Sequence, residues 1–87
     1  MEYWSREEKV EAIQWTANNM HAVALMVDGN VNLVSYASDP DVKAEVKTTR
    51  SGWQPVRDGD YVIIDGLGEI AVLSERDFTK RYYRRPL

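Results

Sequence analysis

Two pairs of aspartates and one histidine are the residues with which this chain could do catalytic chemistry. Asp58 and Asp60, like Asp39 and Asp41, are spaced two apart. An extended backbone brings such a pair to one face, where two carboxylates can divide acid and base roles. Both pairs stand in turn sequences, Ser38-Asp39-Pro40-Asp41 and Asp58-Gly59-Asp60, where aspartate is favoured because its carboxylate bonds nearby backbone. His21 is the only histidine and cysteine is absent, which removes thiol nucleophiles, thiolate zinc sites and disulfides together. The aspartates read as turn formers. No nucleophile–base pair or metal set assembles around them, so no enzyme, metal or cofactor is expected.

Binding chemistry has more to work with. Trp53 stands in a polar stretch between Arg50 and Arg57, and an indole near guanidinium groups suits a planar or anionic ligand as well as a protein groove. The run Lys80-Arg81-Tyr82-Tyr83-Arg84-Arg85 interleaves cations with aromatics, a pattern fit for phosphate contact and base stacking. Trp53, Arg50, Arg57, Tyr82, Arg84 and Arg85 are therefore the candidate ligand- or partner-binding residues. The charge pattern tempers the nucleic-acid reading: residues 76–87 carry five cations against one aspartate, while the whole 87-residue chain is −3. The remainder is acidic, and an all-round basic footprint is missing. Nine aromatic residues exceed what one small core needs, and Trp, Tyr and Arg are the types enriched at interface hot spots. A protein partner, a small anionic ligand or a second copy of the chain is favoured over nucleic acid.

These residues need a scaffold, and residues 56–73 are its centre. Tyr61-Val62-Ile63-Ile64 is β-branched and aromatic and apolar on both alternating faces, which predicts a central strand covered on both sides. Asp65-Gly66-Leu67-Gly68 then connects to a second strand-like run, a hairpin signal. The two glycines are not a phosphate-binding loop, because no Lys-Ser/Thr pair and no helix start follow. Upstream, residues 9–15 read as a first strand. Met20, Val23, Ala24 and Val27 recur at helical spacing, which predicts a helix over residues 17–27 that stops at Asp28-Gly29. His21 falls off that stripe and reads as a surface residue. Residues 30–37 and 42–48 predict two paired strands, the second with Val42, Ala44 and Val46 inward and Lys43, Glu45 and Lys47 outward. Residues 49–60 read as the longest break. Ser74 caps a single helical turn that Phe78 anchors, and residues 79–84 return as a last strand. Residues 1–6 and 85–87 read as tails.

The order β-α-β-β-β-β-turn-β predicts a single α+β domain: one helix packed on a curved antiparallel sheet or partial barrel. No apolar run approaches membrane-spanning length and no signal-like segment opens the chain, so no membrane partner is expected.

Three patches, in order, resemble a family of small accessory proteins encoded by tailed bacteriophages and prophages. They are Val10-Glu11-Ala12-Ile13-Gln14-Trp15-Thr16, then Val56-Arg57-Asp58-Gly59-Asp60-Tyr61-Val62-Ile63 with residues 66–69, and Ser74-Glu75-Arg76-Asp77-Phe78-Thr79-Lys80-Arg81-Tyr82. The resemblance covers residues 9–83 and departs between Tyr36 and Trp53, where this chain is longer and more polar. It implies an accessory protein acting in the host-cell cytoplasm; together with the residue chemistry and aromatic surplus above, the expectation is a non-enzymatic protein that binds a host protein or small ligand and forms a homo-oligomer. The alternatives are a minor virion or assembly role and nucleic-acid binding through the basic-aromatic C-terminus. The resemblance supplies no catalytic residues.

Overall fold

A computed structural model describes residues 2–5, 8–16, 18–34 and 38–84. The elements are β1 (Glu2–Ser5), β2 (Glu8–Gln14), α1 (Met20–Met26), β3 (Val31–Leu33), β4 (Ala44–Thr48), β5 (Gly52–Val56), β6 (Tyr61–Asp65), β7 (Ile70–Leu73), α2 (Glu75–Arg81) and β8 (Tyr83–Arg84). The α+β class is as the sequence predicts. Its layout is two antiparallel sheets, one of five strands in the order β7-β6-β2-β1-β8 and one of three in the order β3-β4-β5. No helix among the described residues is long and apolar enough to cross a membrane.

β6 is the strand whose apolar character on both faces demands cover, and it receives it. It lies between β2 and β7, with Ala12 opposite Ile63 and Ile63 opposite Ala71 on one face, and Ile13, Val62 and Val72 in line on the other. The second face builds the larger core with Trp15, Val23 and Val27 from the α1 side and Ala44, Val46 and Val56 from the three-stranded sheet. The first face builds a smaller core under α2, where Ala12, Ile63 and Phe78 are buried and Tyr61, Ala71, Leu73 and Tyr82 pack around them.

α1 is shorter than its apolar stripe predicts. Asn19 does not cap the helix with its side chain. Its carboxamide accepts from the Thr16 N–H at 2.8 Å and donates to the Gln14 carbonyl, holding a turn ahead of Met20. The predicted start at Ala17 lies outside the described residues. Val23 and Val27 are buried as expected, whereas Met20 is exposed, and His21 is exposed as its position off the stripe predicts. The chain leaves the helix through Asp28 at φ 55° and Gly29 at φ 79°.

The remaining differences have local causes. Residues 2–5, read as tail, form β1 and pair with β2 from Glu2 opposite Glu11 to Ser5 opposite Glu8. Met1, Arg6 and the predicted tail at residues 85–87 lie outside the described residues. β3 and β4 pair as predicted, with Val42, Ala44 and Val46 buried; residues 35–37, which include Tyr36 and the predicted end of β3, lie outside the described residues. The predicted break at residues 49–60 contains β5. The Thr48 hydroxyl donates to the Gly52 carbonyl at 2.8 Å and accepts from the Ser51 N–H at 3.2 Å, so the reversal is tight and β5 begins at once. Pro55 disguised that strand, yet β5 is an edge strand, where a missing N–H costs no ladder bond.

The C-terminal part departs furthest. A single turn followed by a strand over residues 79–84 is predicted, but α2 runs to Arg81 and leaves β8 only two residues. The Ser74 hydroxyl accepts from the Asp77 N–H at 3.1 Å, acidic residues occupy the first turn and Lys80 and Arg81 the last. That arrangement complements the helix dipole at both ends. Phe78 locks the helix down: its ring stacks on Tyr61 with centroids 3.8 Å apart and on Tyr82 at 5.1 Å.

Phe78→Ala should therefore cost about 3–5 kcal/mol, a large part of the roughly 4–13 kcal/mol expected for a domain of this size; urea denaturation followed by tryptophan fluorescence measures it. A smaller loss is expected at the β6–β7 turn. There one Asp65 carboxylate oxygen accepts from the Leu67 N–H at 2.8 Å and the Glu69 N–H at 2.9 Å. Asp65→Ala should cost about 1–3 kcal/mol, and Asp65→Asn, which keeps an acceptor, should recover most of it in the same assay.

Candidate functional site

The six residues singled out by sequence do not form one site. Trp53 lies on β5 opposite Lys47 and is 41% exposed, on the outward face of the three-stranded sheet. Arg50 and Arg57 lie beyond opposite ends of that strand, whose five extended residues span about 17 Å. Each is engaged by a carboxylate. Arg50 lies 3.5 Å from Glu69 with its side chain 84% exposed. Arg57 donates to Asp39, and that hydrogen bond, reinforced by the carboxylate's charge, raises the guanidinium pKa above its ordinary value. The pairing ties the β5–β6 connection to the turn at residues 38–41, a structural role. A cradle of one indole and two guanidinium groups is not built.

The aspartate pairs do not form carboxylate dyads, and Asp60 is committed to backbone. Asp60 accepts from the Arg57 N–H at 2.9 Å through its side chain, and its own N–H donates to the Arg57 carbonyl at 3.0 Å. Asp39 faces Arg57, and Asp41 and Asp58 are exposed. Among the described residues no three His, Cys, Asp or Glu side chains come together in a metal-holding group. The basic-aromatic run is divided among three settings. Lys80 and Arg81 end α2, Tyr82 follows as its C-cap with its ring on Phe78, and Arg84 belongs to β8 opposite Tyr3. Arg85 lies outside the described residues.

Two of the six, Arg50 and Tyr82, line one cleft that the sequence did not announce. It has a volume of about 580 Å³, the size range of small-molecule and short-peptide sites. One wall is the β4–β5 turn with Thr48, Arg50 and Gln54; the other is β7 and the end of α2, with Leu73, Arg81 and Tyr82. Asp65 and Glu69 also line it, but Glu69 faces Arg50 and Asp65 is bonded to its own turn. Arg81 is exposed and has no carboxylate partner among the described residues.

The β7 wall of the cleft is a sheet edge. β7 is the outermost strand of its sheet. At Ile70 that edge is already used: the Ile70 N–H donates to the Thr49 hydroxyl at 2.8 Å, and the Ile70 carbonyl accepts from the Thr49 N–H at 3.0 Å. Those groups point away from β6. Glu69, one residue earlier, instead gives its carbonyl to the Asp65 N–H at 3.1 Å. Backbone groups of successive residues alternate in direction along an antiparallel strand, so Val72 turns its N–H and carbonyl outward as Ile70 does, into the cleft. Neither has a hydrogen-bond partner among the described residues. The sequence shows that residues 70–73 form a strand; that this strand ends the sheet depends on pairings between distant segments.

The arrangement predicts an alternating pattern of amide exchange. In native-state hydrogen exchange read by NMR, the Ala71 and Leu73 amides should be strongly protected, and the Val72 amide between them should exchange at least tenfold faster. Equal protection of all three would show that the Val72 edge is covered. Compared with known proteins, the chain matches no family model, no curated protein and no solved structure.

Proposed function

We propose that this chain is a non-enzymatic accessory protein of the tailed-phage kind that works by binding, and that it holds a host protein or a small ligand in the cleft between the β4–β5 turn and β7. The single observation that carries the reading is the composition of that cleft. An apolar strand whose Val72 edge has no hydrogen-bond partner among the described residues lies beside Arg81, which has no carboxylate partner among them, on a scaffold with a buried core on each face of the sheet. The lining is mixed, with the apolar strand β7 across from the polar residues Thr48, Ser51 and Gln54, and convergent polar groups in a cleft fix a ligand's orientation. The three sequence patches support the phage-accessory part of the reading, and with it action in the host cytoplasm; assembly into a homo-oligomer rests on the small size of the domain and its surplus of aromatic residues. Nucleic acid has less support, because the basic-aromatic run is broken by the end of α2 and one face of the Tyr82 ring is spent on Phe78.

Native mass spectrometry of the protein purified gently from bacteria, combined with a pull-down from host lysate, tests this. A retained mass of a few hundred daltons, or a captured protein, should weaken about 10–100-fold with Arg81→Ala, the loss expected when a hydrogen bond to a charged group is removed. Trp53→Ala, on the opposite face of β5, should leave capture unchanged. Capture that depends on Trp53 and ignores Arg81 would move the site to the outer face of the three-stranded sheet and overturn the assignment to the cleft.

A further inference from the structure

We propose that the occupant of the cleft is an extended polypeptide segment, added to β7 as one more strand at Val72, with an acidic side chain of that segment set against Arg81. The proposal rests on the reading of the cleft as the binding site and names what enters it.

Three observations converge on an extended backbone. Val72 presents a donor and an acceptor side by side on a sheet edge, and an extended chain is the ligand that offers the matching acceptor and donor at the same spacing. Val72 lines the cleft, so its outward N–H and carbonyl face the space that an added strand would fill. The chain itself supplies the precedent one step along the edge. Thr49 meets Ile70 with an N–H and an oxygen, which is the pair of contacts an added strand would make at Val72. Thr49 also sets one limit of the open edge, and α2, which begins at Glu75, sets the other. The segment admitted is therefore short, with one residue exchanging both bonds.

The walls specify its side chains. Along an added strand they alternate between the two faces of the sheet. On one face they meet Ala71, Leu73 and Tyr82; on the other they meet Thr48 and Gln54. Small or β-branched residues suit the first face and polar residues the second. The charge requirement comes from Arg81. Of the two arginines lining the cleft, Arg50 is matched by Glu69, whereas Arg81 has no carboxylate partner among the described residues. A carboxylate on the incoming segment gives that guanidinium its partner. A proline at the residue facing Val72 would lack the donor and is excluded.

The probe is a pool of acetylated, amidated hexapeptides with Glu fixed at one central position and the others drawn from Val, Thr and Ser, titrated into 15N-labelled protein. Binding should shift the Val72 amide resonance and slow its exchange at least tenfold. N-methylation of the strongest binder should cost at least tenfold at the one position that faces Val72 and little at its neighbours. Replacing Glu with Lys, or Arg81→Ala in the protein, should weaken binding by a similar factor. Val72→Pro removes the outward N–H without removing a ladder bond and should abolish peptide binding, read from the Ala71 and Leu73 amide resonances; if that variant does not fold, the N-methyl series decides alone. Peptides that bind and shift residues of the cleft but leave Val72 exchange unchanged would overturn strand addition while preserving the cleft as a site. No binding at millimolar peptide would overturn strand addition, and the pull-down with Arg81→Ala then decides separately whether the cleft binds anything else. Protection of Val72 that rises with protein concentration alone would show that a second copy takes the edge, and would overturn the proposal as well.

Discussion

Everything in this fold follows from a strand that cannot be left half-covered. Tyr61–Asp65 carries apolar side chains on both faces, and each face must be removed from water by a different layer. α2 covers one with Phe78; α1 and the three-stranded sheet cover the other with Val23, Val27, Val46 and Val56. At about 25 cal/mol per Å² of apolar surface buried, neither layer is optional. The two cores share β6 as a common wall, so a defect in one is felt by the strand that supports the other. The double cover also explains why a chain of 87 residues divides its strands between two sheets. A single curved sheet with one helix could have buried only one face of β6.

The parts that were legible in the sequence are those where local chemistry and burial agree. The β6–β7 hairpin, the alternating strand at Val42, Ala44 and Val46, the Val23/Val27 face of α1 and the Ser74 cap all follow from spacing and turn residues. The parts that were not legible are those where a distant partner decides. Pro55 and Gly52 are poor strand residues by propensity, yet β5 exists because β4 offers it a ladder and its free edge tolerates proline. Residues 79–81 alternate like a strand but stay helical because Phe78 is fixed between Tyr61 and Tyr82. Asn19 looks like a helix cap and instead bonds backward to Gln14 and Thr16.

The candidate site divides along the same line. Arg50 and Tyr82 were singled out on residue type and do line the cleft. Arg57 was singled out on the same grounds and serves the fold, because a turn brings Asp39 against it. Trp53 stands apart from both. Sequence proximity of an indole and two guanidinium groups implies nothing about their meeting when a strand separates them. Val72, an ordinary apolar residue in sequence, became notable only through strand order and the direction of its backbone groups.

The pairing of β2 with β6 has a consequence for how the protein is made. Gln14 lies opposite Tyr61 and Val10 opposite Asp65, so the central sheet joins segments about fifty residues apart. The β3–β4–β5 meander, by contrast, pairs neighbours in the chain. Loops of the longer kind must be closed before their contacts compensate the lost entropy. During synthesis the meander can assemble while β2 still waits for its partner, with Val10 and Ile13 uncovered until Tyr61–Asp65 has left the ribosome. The interval between those two events is when the nascent chain is most open to wrong pairing, and its length is set by where β6 falls in the sequence.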